Sequence, residues 1–258
     1  MKTAPAAVPI LMFHAIENGP APDSFPPDLF ARGMATLHEE GYRTIALLDL
    51  VACLRTDARP PERTFVLTFD DGYRSVYERA APVLARYGWT ATVFLVTGGR
   101  RSSAGSDRPR EMSGRPLLSW REIDEMRRAG LSFGAHTLTH PDLTRLSPDC
   151  AEEEIAGSRA ALEEELGAPV RAFAYPFGRY DGPTREIVRR HFECACSDRL
   201  GLVGPGSDVH ALERVDAHYL RRDRLFAAIL TRWFPLYVRT RAVPRRLRRA
   251  VLVRRVGG

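Results

Sequence analysis

Two pairs of residues in this 258-residue chain have the types and spacing for acid–base and metal chemistry. The first is Asp70-Asp71, followed by Gly72, at the end of the apolar run Thr64-Phe65-Val66-Leu67-Thr68-Phe69. Successive strand residues point to opposite sides, so the two carboxylates can share one site only if the backbone turns between them, which the glycine makes easy. Two carboxylates in two environments suit a general base and a metal ligand. An Asx turn capping a following helix is the plainer use of the same residues. The second pair is His136 and His140, in His136-Thr137-Leu138-Thr139-His140. That spacing can converge two imidazoles on one ion, from a helix face or from the turn after a strand, although pairs of solvated or core histidines are at least as common. Together the pairs offer one carboxylate and two neutral imidazoles around a metal, with positions left for water and substrate.

These residues need elements that end where they stand. Residues 64–69 read as a strand buried on both faces, because a half-buried strand would alternate apolar with polar residues. Residues 8–14 read as a first strand ending in His14. A helix is expected from Asp28 as N-cap, with Phe30, Met34 and Leu37 on one face and Gly41 as its stop. A strand over 42–47, a short helix over 48–55, a helix over 75–87 and a buried strand over 90–96 follow. Residues 97–116, rich in Gly, Ser and Arg, read as a long functional loop. Ser119 and Glu122 form a capping-box pattern for a helix that Gly130 closes, and 131–135 is a strand running into His136. Ser147-Pro148 opens an amphipathic helix with an acidic outer face. Strands over 170–175, 193–197 and 212–217, with a helix over 183–191, complete the alternation. The chemically suspect residues fall at carboxyl ends of strands, as in a parallel α/β barrel with its site on the top face.

At this point the chain resembles a known family. Thr68-Phe69-Asp70-Asp71-Gly72, His136-Thr137-Leu138-Thr139-His140 and Phe173-Ala174-Tyr175-Pro176-Phe177-Gly178 are similar, in order, to the first three motifs of the polysaccharide deacetylases among the carbohydrate esterases. The resemblance covers roughly residues 8–218. It implies a distorted (β/α)7 barrel, here a barrel domain over 1–220 followed by a basic helical tail over 221–258. It also implies that Asp71, His136 and His140 hold a divalent metal, most often zinc, with nickel, cobalt or iron as alternatives. Asp70 would be the general base. A metal of this kind lowers the pKa of water from about 15.7 toward 7. The backbone N–H of Phe177 would help stabilise the oxyanion, with Pro176 and Gly178 fixing that loop. Tyr175 and Tyr180 are candidates to face a sugar ring, Tyr180 the better placed of the two.

The proton donor for the leaving amine departs from the commonest family pattern. The late leucine-x-histidine motif is not clear in Leu212-Glu213-Arg214-Val215-Asp216-Ala217-His218. In a permuted branch similar to poly-N-acetylglucosamine deacetylases the acid comes from the first strand, and Leu11-Met12-Phe13-His14 matches that branch. His14 is therefore the expected acid, with His218 as the alternative. The arginine that many relatives carry at the position of Ala174 is absent, which makes Arg214 the candidate to orient Asp70.

The formal net charge of +6 averages two unlike parts. Residues 221–258 hold twelve arginines against Asp223, a local +11, so the remainder is −5. Leu225, Phe226, Ile229, Leu230, Trp233 and Phe234 give that tail an apolar stripe at helical spacing. A basic amphipathic helix reads as a membrane-surface or partner-docking element, and a solvated end is the plainer alternative. Nucleic acid is not an expected partner, since the tail carries arginines but no recognised reading motif. No run approaches the roughly 18 apolar residues of a membrane span, and the apolar segment near the start is short for a signal peptide. The expectation is a cytoplasmic protein, peripheral on the inner membrane face, where a lipid-linked N-acetylated sugar could be presented. Cys53, Cys150, Cys194 and Cys196 show no CxxC pair and read as reduced, mostly buried thiols. The expected activity is metal-dependent removal of acetyl from an N-acetylated sugar or glycan. A non-sugar amide hydrolase of the same fold, and a catalytically silent glycan- or membrane-binding scaffold, are the alternatives.

Overall fold

A computed structural model describes residues 7–56, 58–98, 111–229 and 231–242. Seven strands form the barrel: β1 (Ile10–Phe13), β2 (Thr64–Phe69), β3 (Thr92–Leu95), β4 (Ser132–Ala135), β5 (Ala172–Ala174), β6 (Cys194–Leu200) and β7 (Leu212–Asp216). All pair in parallel with their sequence neighbours, and β1 closes the ring by pairing with both β7 and β2. Parallel neighbours need long crossovers, and helices supply them. These are α1 (Pro27–Glu39) and α2 (Leu47–Arg55) after β1, α3 (Ala81–Tyr87) after β2, α4 (Trp120–Arg128) after β3, α5 (Pro148–Leu166) after β4 and α6 (Gly182–His191) after β5. After β7 come α7 (Asp223–Ala228) and a helix over 234–242.

Strand alternation divides the core into two layers. Leu11, Phe13, Leu67, Phe69, Val93, Leu95, Phe173 and Val215 point outward and pack with helix residues such as Phe30, Met34, Leu84 and Ile155. Ile10, Val66, Phe94, Ala172, Ala174, Cys194, Cys196 and Leu212 fill the interior, and Leu47, Leu50 and Val51 of α2 join them. Gly134 in β4 makes room for this filling: a Cβ there would lie 2.6 Å from the Phe94 ring and 2.8 Å from the Ala172 carbonyl oxygen.

Several local expectations change. Of the strand expected over 42–47 only Arg43–Thr44 forms, pairing with the start of β2 outside the ring. Asp28 is not the N-cap of α1; Pro26 holds that place without a side-chain bond, and Asp28 sits in the first turn, where a carboxylate suits the helix dipole. The expected helix over 75–87 opens as a π turn, Val76–Ala80, before α3. Of the expected loop over 97–116, residues 99–110 lie outside the described residues, and Glu111–Met112 pairs with Arg115–Pro116 as a hairpin. The Ser119–Glu122 capping box is present, with both reciprocal bonds made. Cys194 and Cys196 are buried, whereas Cys53 is half-buried and Cys150 exposed.

The apolar stripe after residue 221 faces the barrel. Phe226, Ile229, Phe234, Val238 and Ala242 are buried in the outer core layer. Phe226 lies against Gly33 of α1, where a Cβ would come within 2.8 Å of the ring. Leu230 and residues 243–258 lie outside the described residues. No helix among the described residues is long and apolar enough to cross a membrane.

Candidate active site

The carboxyl end of β2 sets the site. Val66 and Thr68 point into the barrel, and Asp70 continues that alternation; Asp71 would face outward but for a left-handed backbone at Asp71 itself (φ 69°) and at Gly72 (φ 74°). The turn brings the Asp71 carboxylate to the histidines that follow β4. Its Oδ1 lies 3.5 Å from His136 Nε2 and 3.4 Å from His140 Nε2, and the two imidazole rings are 4.8 Å apart. His136 donates its Nδ1–H to the Ala174 carbonyl at 2.7 Å, which leaves the Nε2 lone pair facing Asp71.

Two left-handed residues, Thr137 (φ 66°) and His140 (φ 62°), bend the histidine loop. Such conformations cost on the order of 1–3 kcal/mol each and persist only where surroundings over-determine them. Here they do. The Thr137 hydroxyl accepts from the His140 N–H at 2.9 Å, and the Gly98 N–H donates to the Leu138 carbonyl. One carboxylate on α5, Glu154, accepts from the Leu138 and Thr139 N–H groups at 2.9 Å each and from the Thr139 hydroxyl at 2.6 Å.

Asp71, His136 and His140 have their ligand atoms within 4.8 Å of one another. Asp71 Oδ1 is buried with no hydrogen-bond partner. An orphaned carboxylate oxygen between two imidazole nitrogens is the donor set of a divalent transition cation, and these residues fit one. Burial, reinforced by the neighbouring His136, pushes His140 down to about 4, so its ring is neutral at pH 7. Burial opposes a charged His136, but the Asp71 and Asp70 carboxylates outweigh it and raise its pKa. A cation would compete with that proton, since binding requires the neutral ring.

Asp70 is held by Arg214, from the interior face of β7. Nη1 and Nη2 donate to Oδ1 and Oδ2 at 2.7 Å each, while Nε donates to the Ser197 carbonyl at 2.8 Å. Arg214 is 1% exposed and Asp70 3%. Burial would raise the Asp70 pKa, but the charge and hydrogen bonds of Arg214 override it and hold the carboxyl below its ordinary range. The chain thus supplies from β7 the guanidinium that Ala174, a small interior residue of β5, cannot.

His14 follows β1, one residue beyond the Phe13–Phe69 pair, so it stands level with Asp70. It is half-buried and close enough to interact electrostatically with Asp70, Asp71 and His140. His218 is exposed on the turn after β7, with its ring against Tyr219. Phe177 has a left-handed backbone (φ 55°), and its exposed ring lies 4.7 Å from that of His140. Gly178 beside it admits no side chain, since a Cβ would lie 2.2 Å from the Asp198 nitrogen.

Tyr175 needs correcting as a sugar contact. The alternation that turns Phe173 outward also turns Tyr175 outward, where it is fully buried and donates its hydroxyl to the His210 carbonyl at 3.0 Å. Tyr180 packs on Tyr175, accepts from Arg199 at 3.2 Å and lines a polar cavity of about 320 Å³ that includes none of Asp70, Asp71, His14, His136 and His140. Glu154 was missed, having been read into the acidic outer face of its helix. Its signal was its position three residues after Ala151, on the edge of the buried stripe Ala151, Ile155, Ser158 and Leu162. Tyr73 is a second such residue: buried near Asp71 and next to Arg115, its hydroxyl is pushed up to about 12 by burial and by the Asp71 charge.

The chain matches the family described as polysaccharide deacetylase over residues 57–191. YxkH of Bacillus subtilis is 29% identical over 212 residues, 82% of this chain and 71% of that protein. A poly-β-1,6-N-acetyl-D-glucosamine N-deacetylase of Staphylococcus epidermidis is 27% identical over 186 residues, 67% of this chain, which spans only 60% of that relative's length. Among solved structures, the Streptococcus pyogenes deacetylase PplD in complex with acetate superposes with a TM-score of 0.73 at 29% identity, covering 82% of this chain and 92% of that one. IcaB from Ammonifex degensii superposes with a TM-score of 0.71 at 26% identity, covering 85% and 97%.

Proposed function

This chain belongs to the polysaccharide deacetylase family, and from that premise we propose that it hydrolyses the acetamide groups of an N-acetylated amino-sugar polymer with the help of a divalent cation. The observation that carries this reading is the pairing of an orphaned Asp71 oxygen between two imidazoles with a second, ionised carboxylate, Asp70, beside it. A cation held by Asp71, His136 and His140, with zinc the first to test, would supply Lewis acidity and a lowered pKa for water.

The remaining work falls to side chains. Asp70 is ionised and oriented by Arg214, and each of its oxygens keeps a lone pair after accepting from the guanidinium. It takes the proton of the attacking water as that oxygen bonds to the acetyl carbon. His14, on the neighbouring strand, gives a proton to the amine nitrogen as the C–N bond breaks. Acetate and a free amino sugar result. The Phe177 backbone N–H is proposed as a donor to the developing oxyanion. Acetate is the molecule bound in the PplD structure, and poly-β-1,6-N-acetylglucosamine is the polymer named for the staphylococcal relative; both support the reading. The Arg214–Asp70 pair supplies the guanidinium missing at Ala174, which counts against a catalytically silent scaffold.

The test is acetate release from β-1,6-linked N-acetylglucosamine oligomers by the zinc-loaded protein beside Asp70→Asn and Asp71→Asn. Acetate from the parent alone is expected, with zinc retained by Asp70→Asn and lost by Asp71→Asn. One bound metal per chain without acetate from these or β-1,4-linked oligomers would overturn the sugar reading in favour of a non-sugar amide.

A further inference from the structure

Among the described residues, the exposed large apolar side chains are Phe177, at the site, and two others far along the chain: Trp233 (60% exposed) and Leu236 (52%). Both belong to the segment around the last described helix. That helix, over 234–242, buries Phe234, Val238 and Ala242, a stripe repeating every four residues, against the barrel. Leu236, Arg239 and Thr240 occupy its exposed side, and Arg232 and Trp233 stand exposed in the turn before it. The Arg232 guanidinium lies 5.1 Å from the Trp233 ring centroid.

This segment is basic, although two acids from elsewhere border it: Glu62 shares a cavity with Arg232, and Glu213 one with Val238 and Arg239. Residues 221–242 carry six arginines and one acid, Asp223, and that acid is engaged with Arg32 at 3.3 Å. Exposed tryptophan and leucine gain by leaving water, while the surrounding guanidiniums gain by meeting phosphates. A bilayer interface with anionic headgroups offers both at once, at a depth suited to tryptophan. A nucleic-acid backbone would satisfy the arginines and leave Leu236 in water.

We propose that Trp233, Leu236 and the arginines around them form a docking surface for an anionic lipid bilayer. The location of the surface gives the docked protein a direction. Thr231, Arg232, Phe234 and Pro235 share a cavity of about 230 Å³ with Pro9 and Thr64, at the amino-terminal ends of β1 and β2. Asp70 and His14 follow the opposite ends of the same two strands. Seated on this face, the barrel holds its catalytic end away from the lipid. On the deacetylase reading that end meets a polymer strand, and a sugar still carried at the lipid surface meets the wrong end. The docking surface itself does not depend on what the site hydrolyses.

The experiment is co-sedimentation of the full-length protein with phosphatidylcholine vesicles with and without phosphatidylglycerol, with tryptophan emission recorded in parallel. The expected result is partitioning that requires phosphatidylglycerol, weakens with salt and shifts the emission to the blue. Trp233→Ser with Leu236→Ser is expected to weaken partitioning about tenfold or more. Arg232→Gln and Arg239→Gln are each expected to weaken it about fivefold. These positions are exposed, so circular dichroism and acetate release from soluble oligomers should match the parent. No partitioning by the folded parent would overturn the proposal. So would a double serine variant that partitions like the parent, because the lipid contact would then lie elsewhere. Oligonucleotide binding without vesicle binding would overturn it in favour of a nucleic-acid surface.

Discussion

The Arg214 guanidinium donates to both oxygens of the Asp70 carboxylate at 2.7 Å across a sequence separation of 144 residues. Both partners are buried, and the remaining arginine nitrogen, Nε, donates to the Ser197 carbonyl. A lysine cannot reproduce that planar fork. Arg214→Lys is expected to lower the rate of acetate release about a hundredfold through loss of orientation at Asp70. Arg214→Met leaves a buried carboxylate without its partner and is expected to cost about 3–5 kcal/mol in urea unfolding. Combining it with Asp70→Asn should recover part of that stability and none of the activity. Full additivity of the two losses would show that the groups do not act as a pair.

The same pair sets a pH dependence. The folded pKa of Asp70 lies below its ordinary 3.8, so its stabilising contribution is present above that value and is lost as pH falls toward the folded pKa. The metal-free parent should therefore lose stability as pH falls below about 4 more steeply than Asp70→Asn, which starts lower at pH 7. Urea midpoints across that range measure it, and parallel curves would contradict the assignment.

His14 and His218 make opposite predictions. His14 is level with Asp70 on the adjacent strand, whereas His218 is exposed beyond β7. His14→Asn is expected to lower the rate about 10²–10⁴-fold with zinc still bound, the range for loss of a general acid. His218→Asn should leave it within a factor of two or so. The reverse ranking would move the acid to the turn after β7.

Glu154 touches no ligand atom, yet it accepts three hydrogen bonds from the loop that carries both histidines. Glu154→Gln replaces acceptors with an NH₂ that faces other donors. Zinc affinity, measured by chelator competition, should fall about 10–100-fold. Thermal unfolding of the metal-free protein separates this effect from a general loss of fold, because the parent's advantage should grow when zinc is added. An unchanged affinity would reduce Glu154 to an ordinary surface bond.

Much of the architecture could be read from neighbouring residues alone. Strand ends carrying Asp70-Asp71 and His136, the Ser119 and Ser147 caps and the regular exchange of strand and helix are local patterns. Their physics acts within a few residues, so one-dimensional spacing reports it. The alternation along β5 even held the outward direction of Tyr175, which the attraction of an aromatic beside a motif obscured. What lay beyond reach was every contact between distant segments. Tertiary structure decided that Arg214 of β7 reaches Asp70 of β2, and that Glu154 turns from a solvated face to the histidine loop. It also decided that Phe226 and Phe234 close onto the barrel while Trp233 and Leu236 remain outside. Periodicity shows that a helix has an apolar stripe, but the surface that stripe meets is chosen by barrel closure. The chemistry of the residues was therefore a property of the sequence, and their partnership a property of the closed ring of strands.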